Sequence, residues 1–164
     1  MSDFDPATFP LQRRGRTFED FQVGQRFEHH WGRTLTEADN AIFTTATLAY
    51  NPLYFNAEYA RVAGHPGVVV NPMLVLCTVV GLSVEDLSEA GGPFLGVDAA
   101  TFHQPVYPGD TLSASSEVVS ARLSDSRPGL GIVTWHTEGR NQRGEVVVDY
   151  RRSNLVPKSR GGDA

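Results

Sequence analysis

The chain has 164 residues, of which 40% are hydrophobic, 20% charged and 10% aromatic, and its formal net charge is -5. This composition is ordinary for a folded domain with a real core, and it excludes global disorder, a collagen, a coiled coil and a disulfide scaffold. Because 14 Lys and Arg stand against 19 Asp and Glu, no basic surplus exists to bind a phosphate backbone, and we expect no nucleic-acid partner.

Cysteine content and apolar patterning indicate the cellular location of the protein. Cys77 is the only cysteine, so the chain forms no internal disulfide and no zinc site built from several thiolates. Residues 1–5 lack the pattern of a secretory signal. The most apolar stretch, 68–82, is interrupted by Pro72 and is shorter than the roughly 20 residues that span a bilayer. We expect a cytoplasmic protein with no membrane partner.

Three segments are predicted along the chain. Residues 1–17 contain prolines and arginines without periodicity and are interpreted as an N-terminal arm. Residues 18–157 carry regular patterns and form the domain, whereas residues 158–164 are polar and glycine-rich and form a C-terminal tail that we expect to be flexible.

The first half of the domain predicts a strand followed by helices. Aromatic and β-forming residues indicate a strand over 26–35. Thr36 and Asp39 have the spacing of a capping box and start a helix, and Asn56 is placed to cap a short one over 57–63.

The next helix is the most informative element. Asn71 is a good N-cap and Pro72 a good first helical residue. Residues 73–82 leave almost no polar face, which predicts a helix surrounded by protein on all sides. Ser83 begins a second capping pattern after it.

From Phe94 onward the hydrophobic period is two, which predicts a long antiparallel sheet. The strands are expected at 95–106, 110–123, 130–140 and 145–156. Glycine-containing turns at 108–110, 127–129 and 141–144 separate these four strands. Helices followed by strands favour an α+β class, with the sheet curled around the buried helix.

Four motifs of the chain resemble those of MaoC-like acyl dehydratases, a hot-dog-fold family. They are Arg33-Thr34-Leu35-Thr36-Glu37-Ala38-Asp39, Asn51-Pro52-Leu53, Met73-Leu74 and Pro105-Val106-Tyr107-Pro108-Gly109-Asp110-Thr111-Leu112. The resemblance covers residues 18–156 and implies a single hot-dog domain.

The resemblance also implies an activity. The family hydrates enoyl thioesters, or dehydrates 3-hydroxyacyl thioesters, of coenzyme A or acyl carrier protein, so its members are hydro-lyases. No cofactor is implied beyond the coenzyme A or phosphopantetheine of the substrate. An Asp-x-Asn-Pro-x-His loop in the family holds the water that adds across the double bond. A Gly amide at the start of the buried helix supports the oxyanion.

This sequence departs from the family pattern at each of those places. Ala49 occupies the Asp position and Tyr54 the His position, while Asn71-Pro72-Met73 replaces His-Gly-Met. Proline has no N–H, so position 72 supplies no oxyanion donor. The Asn71 side chain or the Met73 amide is the candidate replacement, and Ala49 is expected to line the substrate site.

Tyr54 and Asn51 are the candidate catalytic residues of the altered loop. A tyrosine hydroxyl titrates near 10, which suits Tyr54 to donating a hydrogen bond or a proton. Asn51 is a candidate for orienting water through its amide. The alternatives are that Tyr54 is a packed aromatic and that Asn51 serves the turn before Pro52.

Three further candidates flank the expected acyl tunnel. His65 lies in Gly64-His65-Pro66-Gly67, upstream of the buried helix. Gly96 and Asp98 lie on the strand that follows this helix, where a partly buried Asp98 would have a raised pKa and act as a base. The alternative for Asp98 is a carboxylate that faces solvent or an arginine. No metal is expected, because no HxH or HxxxH spacing occurs.

We therefore predict an acyl-thioester hydratase or dehydratase with a non-standard loop, acting on branched or carboxylated acyl chains. Two alternatives are a hot-dog thioesterase and a non-catalytic subunit that partners a catalytic MaoC-like protein. A single hot dog leaves open sheet edges. We therefore expect at least a homodimer, with the site at the subunit interface.

Overall fold

The computed structural model describes residues 14–159. Most of the predicted arm 1–17 and the end of the predicted tail 158–164 lie outside the described residues, and the division into three segments stays a prediction. No described helix has the length and apolar character needed to cross a membrane. The cytoplasmic location also stays a prediction.

The described residues form six strands and four α-helices, with short 3-10 turns at Phe18–Asp20 and Pro52–Tyr54. In chain order the elements are β1 Arg26–Glu28, β2 Arg33–Thr34, α1 Glu37–Ala46, α2 Ala57–Val62, α3 Pro72–Leu82, α4 Val84–Leu87, β3 Phe94–Phe102, β4 Thr111–Leu123, β5 Leu130–Arg140 and β6 Val146–Pro157.

The strands form one antiparallel sheet in the order β1-β4-β5-β6-β3, and β2 also pairs with β4. Helix α3 packs on one face of this sheet through Val75, Leu76 and Val79, in a core shared with β4 and β6. Gly139 of β5 permits the close crossing, because a Cβ there would lie 2.5 Å from the Val79 side chain. The sheet and its central helix are the α+β hot-dog arrangement that the sequence predicted.

Three of the four predicted helix caps are confirmed. Thr36 and Asp39 form a reciprocal capping box at the start of α1, and the Asn56 side chain accepts the Tyr59 N–H at the start of α2. Helix α3 begins at Pro72 behind the Asn71 cap. Each cap satisfies N–H groups that the first helical turn would otherwise leave unpaired.

The strand bounds agree with the predictions except at two places. Strand β3 ends at Phe102 rather than at 106, because Pro105 has no N–H with which to continue the ladder. The single strand predicted over 26–35 is wrong. Glu28 pairs with Ser115 and Arg33 pairs with Leu112. The chain therefore advances five residues on this segment while it advances only three on β4. The extra residues cannot pair with β4, and they separate β1 from β2.

Two predictions about α3 are corrected. Ser83 does not cap the next helix with its side chain, because its hydroxyl donates backward to the Val80 carbonyl at 2.7 Å. The helix is also not enclosed on all sides within the described chain. Val79 and its neighbours toward the sheet are buried, whereas Met73 and Cys77 are exposed. One sheet covers only one side of a helix.

Candidate functional site

The loop after α1 begins with a Schellman motif. The amide of Leu48 donates to Thr45 O at 3.3 Å and that of Ala49 to Thr44 O at 3.0 Å. Leu48 has a φ of 56°, in the left-handed region that side-chain-bearing residues rarely adopt. This ending turns the chain away from the helix and directs residues 49–54 toward the start of α3.

Asn51 serves the turn that presents Tyr54. Its side-chain oxygen accepts the Leu53 N–H at 3.1 Å, and the backbone carbonyl of Asn51 accepts the Tyr54 N–H at 2.9 Å. The turn interpretation of Asn51 is therefore correct. The bond from the Leu53 N–H uses only the side-chain oxygen of Asn51. The role of its NH2 group in orienting water stays a prediction.

Asn40 joins the Tyr54 loop to the start of α3, and sequence reasoning missed it. Its amide nitrogen donates to Tyr54 O at 2.8 Å and to Val69 O at 3.0 Å, and its oxygen accepts the Asn71 N–H at 2.8 Å. The residue is 1% exposed. An asparagine inside a helix, where it is intrinsically disfavoured, was the only available signal.

The start of α3 determines which donors can face a ligand. Asn71 Oδ1 accepts the Met73 N–H at 2.9 Å, and the Leu74 N–H donates to the Asn71 carbonyl at 2.9 Å. Pro72 has no N–H. Of the two replacement donors predicted, the Met73 amide is therefore already engaged. The NH2 group of Asn71 takes no part in this cap.

A pocket of about 320 Å³ lies between the Tyr54 loop, the start of α3 and the segment after β3. Its walls are mostly apolar, with Pro72 and Val75 among them, and its polar residues include Tyr54, His65 and His103. Apolar walls with a few convergent polar groups are typical of small-molecule sites. The pocket therefore unites Tyr54 with His65, two residues that the sequence singled out separately.

The His65 ring lies within hydrogen-bonding distance of a tyrosine from the segment after β3. Its Nδ1 lies 3.0 Å from the Tyr107 hydroxyl. Burial raises the pKa of Tyr107, and the negative charge of Asp110 raises it further, so this hydroxyl stays protonated. It can donate to His65 or accept from it, and in either case it fixes the imidazole at the edge of the pocket.

Asp98 and Gly96 lie on β3 but do not line the pocket. The expectation that Asp98 is partly buried is wrong for the described chain, since the residue is exposed. Successive strand residues point to opposite faces, and the neighbouring Val97 packs against the core, so Asp98 points outward. It lies across the ladder from Arg151. Gly96 is half-buried on this open edge.

His103 and Gln104 are polar residues of the pocket lining that sequence reasoning did not select. His103 lies just after β3, where its amide donates to Val147 O at 2.9 Å. A lone histidine near a strand end has no spacing signal, so only the fold brings it to Tyr54. Among residues 14–159, no group of three or more His, Cys, Asp or Glu is arranged to hold a metal ion.

The sequence profile of mesaconyl-CoA hydratases matches residues 8–163. The chain belongs to the mesaconyl-CoA hydratase family. A mesaconyl-CoA hydratase from Haloarcula marismortui is 45% identical over 148 residues, which cover 90% of this chain and 41% of the relative. The chain therefore spans about two fifths of the length of that curated relative.

Solved structures agree with the family and the fold. A MaoC domain protein from Chloroflexus aurantiacus superposes with a TM-score of 0.85 at 32% identity, covering 95% of this chain and 44% of that one. A double hot-dog protein from Mycobacterium tuberculosis superposes with a TM-score of 0.78 at 24% identity, covering 94% of this chain and 48% of that one. This second likeness concerns the fold alone. The resemblance to MaoC-like proteins and the hot-dog fold are confirmed.

Proposed function

We propose that this chain is an acyl-CoA hydratase or dehydratase, and that water adds to its substrate in the pocket beside Tyr54. The observation that carries the proposal is the convergence of Tyr54, His65 and Pro72, the first residue of α3, around one apolar pocket in a member of this family. The resemblance assigns the reaction chemistry to this loop and this helix start. An enzyme of this class is a hydro-lyase.

The thioester carbonyl needs a hydrogen-bond donor as negative charge develops on its oxygen. Pro72 has no N–H and the Met73 amide is bonded to Asn71. The NH2 group of Asn71 is therefore the donor that we assign to the carbonyl. The backbone of Asn71 is held by Asn40, whose side-chain oxygen accepts the Asn71 N–H at 2.8 Å.

Tyr54 and Asn51 are assigned to the reacting double bond. The Tyr54 hydroxyl donates a hydrogen bond to the thioester or to the water while water adds across the carbon–carbon double bond. The NH2 group of Asn51 orients the water. Ala49 leaves space where the family has a carboxylate. His65 lies at the mouth of the same pocket and is assigned to substrate binding.

The substrate that we propose is a short, branched acyl thioester with a free carboxylate. The family profile and the Haloarcula relative both carry the name mesaconyl-CoA hydratase. A mesaconyl group is a methyl-branched dicarboxylic acyl group, which agrees with the branched or carboxylated chain predicted from the altered loop. Neither cofactor nor metal enters this chemistry.

We assign a second hot-dog unit to the open edge of the sheet, supplied by a second copy of the chain. Strand β3 forms that edge and exposes Phe94, Leu95 and Phe102. The chain also spans about half of a double hot-dog protein. A homodimer would cover these side chains and pair the strand edge. Light scattering after gel filtration tests this assignment, because a MaoC-like hetero-partner predicts a monomer for the purified chain.

A thioester screen tests the function. The purified protein is incubated with mesaconyl-CoA, other enoyl-CoA thioesters and 3-hydroxyacyl-CoA thioesters, and each mixture is read by mass spectrometry. Gain or loss of one water supports the proposal. Release of free coenzyme A favours the thioesterase alternative. No change with any thioester, for a folded homodimer, favours the non-catalytic subunit.

A further inference from the structure

We propose that His65 recognises the free carboxylate of the substrate and so determines a preference for dicarboxylic acyl groups. This inference rests on the proposed hydratase function and names the residue that selects its substrate. The mesaconyl group carries its free carboxylate on the β-carbon, the carbon to which water adds. The carboxylate therefore enters the pocket together with the double bond, and it needs a hydrogen-bonding partner there, because burying an unpaired charge is unfavourable.

The lining of the Tyr54 pocket offers few partners for a carboxylate. Its described residues include no Lys, Arg, Asp or Glu, and two of them are histidines. His103 directs its Nε2 to Asp149 at 2.5 Å. The neighbours of Asp149 on β6, Val148 and Tyr150, belong to the core, so Asp149 and the His103 ring lie on the outer face of the sheet. His65 is therefore the residue of this lining that can present a positive charge to an acyl group.

The end of α2 fixes the position of His65. This end is a Schellman motif, in which the Gly64 N–H donates to Arg61 O at 3.0 Å. The His65 N–H donates to Ala60 O at 2.9 Å, and Gly64 has the left-handed φ of 90° that the motif requires. Of residues 60–68, all of which the structure describes, His65 alone lines the pocket. A single lining residue in this turn indicates that its side chain, rather than the backbone, reaches the pocket.

Tyr107 determines which nitrogen of His65 is left for a ligand. Its hydroxyl lies 3.0 Å from His65 Nδ1, and it stays protonated because burial and the charge of Asp110 raise the pKa of Tyr107. A phenol that donates to Nδ1 leaves the proton of a neutral imidazole on Nε2, and an imidazolium carries a proton there as well. Among residues 14–159, Nε2 of His65 has no hydrogen-bond partner. Its N–H is therefore available to a carboxylate.

This N–H distinguishes a carboxylate from a methyl group on the same carbon. A hydrogen bond to an ionised acceptor is stronger than one between neutral groups. Where a methyl group replaces the carboxylate, the N–H loses its acceptor among apolar walls, and a buried donor without a partner weakens binding. Val70, Val75 and Val106 provide apolar surface for a methyl branch. The pocket therefore suits an acyl group with one charged end and one methyl branch.

Gln104 is the alternative partner for the carboxylate. It also lines the pocket, but it is neutral and exposed, whereas His65 is half-buried. Water competes more strongly for a hydrogen bond at an exposed position, so Gln104 gains less from a carboxylate. The chain also offers a matched histidine control in His30, an exposed residue that lies 3.7 Å from Glu85 and does not line the pocket.

Isothermal titration calorimetry of the full chain measures this recognition without turnover. The ligands are methylsuccinyl-CoA and 2-methylbutyryl-CoA, saturated acyl thioesters that cannot add water and that differ only in a carboxylate or a methyl group. We expect the wild type to bind methylsuccinyl-CoA at least about tenfold more tightly. His65→Leu should bind methylsuccinyl-CoA about 10- to 100-fold more weakly and 2-methylbutyryl-CoA within about threefold of the wild type. His65→Gln, which keeps an N–H donor, should retain part of the preference. Gln104→Leu and His30→Leu should keep it, and thermal unfolding checks the fold of every variant.

The outcomes separate this inference from the proposed function. A folded His65→Leu that keeps the preference overturns the inference, as does a wild type that binds both analogues equally well. A preference lost in Gln104→Leu but kept in His65→Leu also overturns it and assigns the carboxylate to Gln104. A wild type whose preference depends on His65 but that hydrates and dehydrates none of the thioesters supports the recognition and overturns the hydratase function.

A wild type that hydrates mesaconyl-CoA while His65→Leu keeps the preference gives the opposite result. In that case the hydratase function stands and the role of His65 is overturned.

Discussion

Asn71 accepts the Met73 N–H through its side-chain oxygen at 2.9 Å, so the residue that caps α3 also engages the first amide after Pro72. In the family pattern the corresponding position supplies a glycine amide to the substrate. Here Pro72 has none and Met73 is engaged. The two halves of the Asn71 side chain therefore have separate roles, the oxygen in the fold and the NH2 group in the proposed chemistry.

These roles predict different effects for two substitutions of Asn71. Asn71→Asp keeps an oxygen that can cap Met73 but removes the NH2 donor, so we expect a folded protein whose kcat falls by about 100-fold. Asn71→Ala removes both and should also lower the free energy of unfolding by about 1 kcal/mol. Steady-state kinetics and urea unfolding of both variants check this, and an active Asn71→Asp contradicts it.

Asn40 is expected to be the most sensitive position of α1. Asn40→Ala leaves the carbonyls of Tyr54 and Val69 and the N–H of Asn71 without their partner in a buried region. We expect the free energy of unfolding to fall by about 2–4 kcal/mol. Thr45→Ala, at an exposed position of the same helix, should change it by less than about 0.5 kcal/mol. Similar urea midpoints for the two variants would disprove the role of Asn40.

Arg152 is predicted to lower the stability of the fold. It is 1% exposed on β6, with its guanidinium 5.3 Å from the centre of the Trp135 ring. Neither its Nε nor its Nη2 has a hydrogen-bond partner among residues 14–159. Burial lowers the pKa of Arg152, and the nearby Tyr150 only partly offsets this effect.

Replacing this unpaired charge with an apolar side chain of similar length should therefore stabilise the protein. We expect Arg152→Met to raise the free energy of unfolding by about 1–3 kcal/mol. Arg151→Met, at the exposed neighbouring position, should be nearly neutral. Guanidinium unfolding of both variants measures the difference. A clear loss of stability in Arg152→Met would mean that a counter-charge pairs with it in solution.

Asp110 gives the fold a defined pH dependence. Its burial favours the neutral acid, but the Tyr107 N–H and the Gln142 and Arg143 side chains donate to it, at 2.9, 2.7 and 3.3 Å. These bonds outweigh burial and lower the pKa of Asp110. A carboxyl with a lowered folded-state pKa stabilises the fold above its unfolded pKa of about 4, and this stabilisation is lost as the pH falls through the folded value.

Asp110→Asn should therefore lower stability by about 1–3 kcal/mol at pH 7. The difference from the wild type should begin to shrink below the unfolded pKa of about 4 and should be lost as the pH falls through the lower folded-state pKa. Unfolding curves at several pH values from 7 down to 3 check this. A difference that is independent of pH would show that the charge of Asp110 contributes nothing.

The features that the sequence predicted correctly are local or repeat regularly. The caps at Thr36, Asn56 and Asn71 each join residues two or three apart, so their spacing is visible in the chain. The period-two pattern likewise fixed β4 and β5 to within about one residue. Tyr54 and His65 were found through the family resemblance and the surrounding glycines.

The features that the sequence could not predict depend on distant partners. His103 bonds to Asp149, 46 residues away, and Asn40 bonds to Asn71, 31 residues away. No spacing rule connects such pairs. The break between β1 and β2 is a register shift against β4, which composition does not encode. Asp98 was expected to be partly buried, but its neighbour Val97 contacts the core, so strand alternation points Asp98 outward. The sequence does not show which of the two faces the core.

The most direct test of the account is the addition of water to mesaconyl-CoA by the wild type, Tyr54→Phe and Tyr59→Phe, followed by mass spectrometry. Tyr54 lines the pocket, whereas Tyr59 is an exposed tyrosine of α2. The account predicts hydration by the wild type and by Tyr59→Phe, and a rate about 100-fold lower for Tyr54→Phe. Undiminished hydration by Tyr54→Phe, or none by the wild-type protein, would contradict it.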